Sequence, residues 1–190
     1  GRMPKVVDRA QVQLDILLAF QSCVQEKPLL KVTMRDIAAK ANMTHVNVLH
    51  YYRSKEALID AYIQYITELY SKAFEHWVEG IDEDTNMGEY LGEKFVEMLG
   101  RDSFVHSQVF TQVYVLGIYD ERTHAAIQKT YGAWEESLNM TLRKKFGTDM
   151  AKEAKSLLVL IEGILLYSTN EALSKSQAKA VLAHLAQLSA

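Results

Sequence analysis

Arg35, Thr44, His45, Asn47, His50 and Tyr51 stand clear of the apolar positions in their stretch of chain, at spacings that gather them on a wet face. Guanidinium, amide, imidazole and hydroxyl groups of this kind bond phosphate oxygens and the edges of bases. Other chemistries need other sets, and those are missing. There is no GxSxG, no phosphate-cradling P-loop and no GxGxxG. The six histidines (45, 50, 76, 106, 124, 184) form no i, i+4 pair and no HExxH. Glu135 and Glu136 beside Trp134 read as the wet side of a helix next to a core indole, not as paired catalytic acids. No catalytic residue, metal or cofactor is expected, and the chain is not expected to be an enzyme.

Short helices must carry these groups. Thr33-Met34-Arg35-Asp36 is a capping-box pattern that opens a helix ending near Lys40. Asn42 tolerates the left-handed conformation of a tight turn. Thr44 then caps a helix running to about Tyr51, and Ser54 caps a long fourth helix through Leu58, Tyr62, Tyr65, Ile66 and Leu69. Ahead of them Ile16, Phe20, Cys23 and Val24, at i, i+4, i+7 and i+8, mark a first helix from about Val6 to Gln25, stopped by Pro28. Ile37, Ala38, Ala41, Val48 and Leu49 are spaced to pack the short helices together. This is a helix-turn-helix, whose second short helix enters the major groove of DNA. The charge agrees: residues 1–60 hold nine Lys/Arg against six Asp/Glu, while the remaining 130 hold twelve against eighteen. From Lys31 to Lys55 five basic residues face a single acid, Asp36. A basic end on an acidic body suits a polyanion.

The rest is helical too. The chain has 190 residues and 21.6 kDa, 48% hydrophobic and 24% charged, with Pro 2 and Gly 9, so it is a globular protein of one large or two small domains. A loop is expected between Gly80 and Gly88, with helical segments at about 89–100, 104–118, 121–146, 150–172 and 176–188. No alternating run reads as a strand, and the fold class is all-α. Leu157–Tyr167 (LLVLIEGILLY) is apolar or Gly at ten of eleven positions, a helix without a wet side that must be buried on more than one face. It is either a central core helix or one packed against the body on one side and a second copy of the chain on the other. Ala178, Val181, Leu182, Leu185 and Leu188 on the last helix could extend such a two-fold contact. That apolar stretch falls short of the roughly 18 residues a membrane span needs. Asp8, Arg9 and Asp15 leave no uncharged run for an export signal, Cys23 stands alone, and Gly1-Arg2 before Met3 reads as a cloning remnant. A cytoplasmic, reducing location is expected.

The segment resembles the DNA-binding domain of the TetR family of bacterial transcriptional regulators. That family's Thr-x-x-x-Ile-Ala, small-residue turn and aromatic-Lys-Glu elements appear as Thr33-Met34-Arg35-Asp36-Ile37-Ala38, Ala41-Asn42-Met43-Thr44 and Leu49-His50-Tyr51-Tyr52-Arg53-Ser54-Lys55-Glu56-Ala57-Leu58. Asn42 replaces a usual Gly, Leu49 a frequent phosphate-contacting Tyr, and Tyr52 a core Phe. By resemblance Thr33, Tyr51 and Lys55 match phosphate-contacting positions, Arg35 reaches a phosphate or a guanine edge, and Arg53 adds a phosphate contact. Thr44, His45, Asn47 and His50 then sit on the recognition helix.

The resemblance implies residues 3–53 as the DNA-binding domain and 54–190 as a helical regulatory domain that binds a small molecule and dimerises through the two C-terminal helices. The expected function is a dimeric, effector-released repressor on a palindromic operator in double-stranded DNA. The alternative is a DNA-bound interaction protein whose body recruits a protein partner and holds no small molecule. Aromatic material for an effector pocket is plentiful (Tyr62, Tyr65, Trp77, Phe95, Phe104, Tyr131), with Phe110, Tyr114, Trp134 and Glu162 as the preferred set. Glu162, a lone carboxylate among apolar neighbours, needs a partner once buried: a cationic ligand, a Tyr hydroxyl or a group across the dimer.

Overall fold

Side-chain caps decide where the N-terminal helices begin. The computed structural model describes residues 7–82, 84–86, 89–90, 93–94, 97, 101–170 and 175–188. Helix α1 (Arg9–Glu26) opens three residues later than its apolar stripe suggests, because Asp8 is extended and its carboxylate accepts from the Gln11 amide at 3.2 Å. A single 3-10 turn (Leu29–Lys31) follows Pro28. The capping box then forms as expected at α2 (Met34–Lys40): the Asp36 amide donates to the Thr33 hydroxyl at 3.1 Å, and the Thr33 amide to the Asp36 carboxylate at 2.9 Å. Thr44 caps α3 (His45–Tyr51), accepting from the Asn47 amide at 3.2 Å. Ser54 accepts from the Ala57 amide at the start of α4 (Lys55–Glu79). Further helices are α5 (Arg101–Gly117), α6 (Glu121–Phe146), α7 (Ala151–Asn170) and α8 (Lys175–Leu188). Among the described residues there is no strand, so the chain is all-α. Most of the 89–100 segment, Phe95, and the side chains of Phe104, Leu185 and Leu188 lie outside the described residues.

The chain divides into two compact units, Gly1–Gln64 with Val109–Ala126, and Tyr65–Gln108 with Ile127–Ala190. Helices α4, α5 and α6 therefore contribute residues to both. The first unit closes over Ile16, Phe20, Ile37, Val48, Leu58 and Tyr62, all fully buried. Tyr62 sets its ring edge against Phe20 at 5.3 Å and donates its hydroxyl to Gln21 at 2.8 Å, so the polar end of a buried ring is satisfied. Gln112 of α5 holds the turn after α1, accepting from the Leu29 amide at 2.8 Å and donating to the Val24 carbonyl at 3.4 Å.

The second unit is built on Phe74 and Trp77 of α4, Trp134 and Leu138 of α6, and Leu158 and Ile161 of α7. The apolar α7 does not bury itself within one chain. Leu158, Ile161, Ile164 and Leu165 are buried, but Val159, Leu166 and Tyr167 are 66%, 59% and 52% exposed. With Gly163, where an added Cβ meets nothing within 4 Å, they form an open stripe at i, i+4, i+7 and i+8. Val181 of α8 is also open. Among the described residues no helix is long and apolar enough to cross a membrane.

Candidate nucleic-acid interface

The α2–turn–α3 segment is held from beneath and open above. Ile37, Ala38 and Val48 are buried, and the chain reverses at Asn42 with φ 55, the left-handed conformation its side chain tolerates. The Met43 amide donates to the Ala38 carbonyl at 2.9 Å and the Ala41 amide to Ile37, closing the end of α2 across the turn. Asn42 thus does the work of the glycine it replaces. Burying Val48 turns the other side of α3 outward: Asn47 and His50 are exposed, and His45 is half-buried. Val46, which the sequence reading left out, is 62% exposed on the same helix. The signal was present, since Val46 lies off the stripe that buries Val48. Leu49 is partly exposed.

Flanking groups divide into free and engaged. Arg35 and Arg53 are exposed and make no hydrogen bond or ion pair among the described residues. Thr33 and Thr44 are exposed and each hydroxyl accepts from the backbone; Thr44 keeps a proton to give, while the Thr33 hydroxyl also serves the Asp36 carboxylate. Arg9 lies over the Tyr51 ring, 5.0 Å from its centroid, which fixes that phenol at the edge of the face. The Lys55 ammonium donates to the Leu29 carbonyl at 2.6 Å, tying the start of α4 to the 3-10 turn, and its burial lowers its pKa. The Tyr52 hydroxyl reaches the Gln13 carbonyl at 3.5 Å, while burial raises its pKa.

Asp36, the single acid of this stretch, is neutralised in place. Lys27 donates to it at 2.9 Å, and the Thr33 amide and hydroxyl add their bonds, which together lower its pKa to about 2. Of the basic groups around it, Arg35 and Arg53 are exposed to solvent, while Lys40 is paired with Glu26. Lys27 was not legible as this partner, because it lies on the far side of Pro28 and only the packing of α1 on α2 brings it near.

In the second unit, Trp134 stands in a group of rings with Tyr70, Phe74 and Tyr131, at centroid distances of 6.0, 6.3 and 5.6 Å, all near perpendicular. Its indole N–H donates to the Thr67 carbonyl at 3.0 Å. Glu162 receives the Tyr131 hydroxyl at 3.0 Å, so of the three partners conceivable from sequence the structure supplies the tyrosine. Burial pushes the Glu162 carboxyl above the usual glutamate range, and the Tyr131 bond partly opposes that. Trp134 and Glu162 thus meet through Tyr131. Phe110, buried, and Tyr114, half-exposed, belong to the other compact unit.

Residues 16–62 match the family model described as bacterial regulatory proteins, tetR family. No curated protein sequence matches the chain. Solved structures do, at low identity. A TetR transcription regulator from Haloarcula marismortui is 18% identical, with a TM-score of 0.73 over 94% of this chain and 98% of that one. Salmonella enterica GusR is 20% identical, with a TM-score of 0.70 over 96% and 98%. A transcriptional regulator from Saccharomonospora viridis in complex with choline is 17% identical, with a TM-score of 0.72 over 94% and 96%.

Proposed function

Because residues 16–62 are a helix-turn-helix domain of the tetR family and the chain has the fold of that family's regulators, we propose that the protein is a dimeric repressor that leaves its operator when a small molecule binds its helical body. The observation that carries this reading is the α2–turn–α3 face: a buried Val48, a left-handed Asn42, and exposed side chains free to meet DNA. Asn47 and His50, with His45 and Thr44, read base edges, and Val46 meets a thymine methyl. Thr33, Arg35, Tyr51, Arg53 and Lys55 hold phosphates. Residues 3–53 serve as the reading head and 54–190 as the regulatory body.

The open apolar stripe of α7 supports dimerisation, since a helix left with Val159, Leu166 and Tyr167 in water is stabilised by a second copy. The ring group around Trp134, with Tyr131 and Glu162, supplies the chemistry for an effector within the second unit, while Phe110 and Tyr114 belong to the first. The choline held by the Saccharomonospora viridis protein supports a small-molecule role for a body of this fold. Such a ligand must favour the arrangement that does not fit DNA, because equal affinity for both arrangements shifts nothing.

Selection from random duplex DNA with the purified chain tests the reading. The expected pool carries a two-fold symmetric motif, with half-sites about one helical turn apart or a multiple of it. Asn47→Ala and His50→Ala each lower specific binding by about 1–3 kcal/mol while leaving nonspecific binding in place. A pool without enrichment, or specific binding indifferent to both substitutions, would overturn it.

A further inference from the structure

In the second compact unit, α4 and α6 together line a groove of about 860 Å3 that the sequence did not suggest. Ser71, Glu75 and Val78 enter it from α4 at i, i+4 and i+7, and Ala133, Ser137 and Met140 enter it from α6 at the same spacing, one stripe from each helix. Its lining mixes apolar and acidic groups. Val78 is buried, while Met140 is held 63% exposed, a large apolar side chain kept in water. Glu75, Glu79 and Glu136 add exposed carboxylates. Lys144 and Lys145 also line it, with Lys145 held to the Glu79 carbonyl at 2.8 Å, so three carboxylates against two ammoniums leave the groove with an excess of negative charge.

Ser137 sets this groove apart from a solvated charged face. A helical serine commonly donates to the carbonyl four residues back. Ser22 does so to Leu18 at 3.1 Å and Ser156 to Lys152 at 2.8 Å. The Ser137 hydroxyl oxygen is buried and has no hydrogen-bond partner among the described residues. An unmet buried hydroxyl in a native fold calls for a partner. A pocket of drug-like volume with a few convergent polar groups is the usual form of a small-molecule site.

We propose that the α4–α6 groove binds a protonated amine with a short apolar tail. The ammonium sits against Glu75 and Glu136 and donates to the Ser137 hydroxyl, while the tail lies over Val78, Ala133 and Met140. The site is separate from the Trp134–Tyr131–Glu162 group.

Hexylamine, 1-hexanol and hexanoate share a tail and differ in charge. Each is titrated at neutral pH into the full chain carrying 13C-methyl methionine, with the Met140 signal assigned by its loss in Met140→Leu. The expected result is a saturable Met140 shift, at least tenfold tighter for hexylamine than for hexanol, with hexanoate weakest. Ser137→Ala and Glu75→Gln/Glu136→Gln each weaken hexylamine at least fivefold and leave hexanol unchanged. The Ser137→Ala chain melts no lower than the parent, since the lost hydroxyl had no partner. Equal binding of the three compounds, preference for hexanoate, no saturable shift, or full hexylamine affinity in Ser137→Ala would overturn the proposal.

Discussion

The α2–turn–α3 segment and the ring group around Trp134 use polar groups in opposite ways. In the first, Arg35, Asn47 and His50 point into solvent, and the backbone beneath them is fixed by contacts three residues apart: Thr33 with Asp36, and Thr44 with Asn47. In the second, the polar groups are turned inward and meet partners far along the chain. Trp134 bonds Thr67, Thr67 meets Thr130 at 2.9 Å, and Tyr131 bonds Glu162. The side chains of Arg35, Asn47 and His50 keep their hydrogen-bonding capacity, because the backbone beneath them is held by local bonds. A body core has no water to fall back on, so each buried group needs a named neighbour. The head should therefore lose function when its face changes, and the body should lose stability when one partner goes.

Trp134→Ala carries the largest expected effect on stability. It removes a buried indole in contact with three rings and its bond to the Thr67 carbonyl, for a loss of about 3–5 kcal/mol in chemical denaturation. A loss below 1 kcal/mol would show that the ring group is not the structural centre of the second unit.

Asn42 comes next and sharpens the contrast, because its role is conformational. Asn42→Val puts a β-branched residue at φ 55 and should cost about 1–3 kcal/mol with loss of DNA binding. Asn42→Gly should keep DNA binding. Equal DNA binding by the two variants would mean the turn is not strained by a side chain.

Thr33→Ala should cost about 1 kcal/mol by removing one bond of the capping box. Amide exchange should quicken in α2 and stay unchanged in α7. Faster exchange throughout would show that the cap is not a local device.

Glu162→Gln is the smallest and of opposite sign. Burial raises the carboxyl's pKa, so in the window above the ordinary glutamate value the native chain holds a proton that the unfolded chain has lost. Stability conferred by the protonated form is present at low pH and falls as pH rises through the raised value. The glutamine variant keeps an acceptor for Tyr131 and has no such fall, so thermal melts should show it more stable than the parent at neutral pH and less sensitive to pH. A lower melting temperature at neutral pH would mean that the charge of Glu162 is matched by a cation.

Capping and turn chemistry were legible in the sequence because they act over three or four residues. Thr33 with Asp36, the left-handed Asn42, Thr44 and Ser54 stand where those residue types alone would place them. The buried face of α1 and the burial of Val48 followed from apolar spacing in the same way, whereas Leu49, expected to pack with them, is 37% exposed. Side chains that meet across helices were not legible in this way. Lys27 for Asp36, Arg9 for Tyr51, Gln112 for Leu29, and Lys55 spent partly on a carbonyl all depend on how helices pack.

By itself, then, the sequence determined the helices, their caps and the exposed face of α3, each set by periodicity or by contacts within one turn. Tertiary structure alone decided which buried polar groups are satisfied, that one face of α7 is left open, and that two helix stripes meet in a groove around an unmet Ser137. Those outcomes depend on which faces of distant helices come together, and spacing along one helix carries no information about the neighbour it will meet.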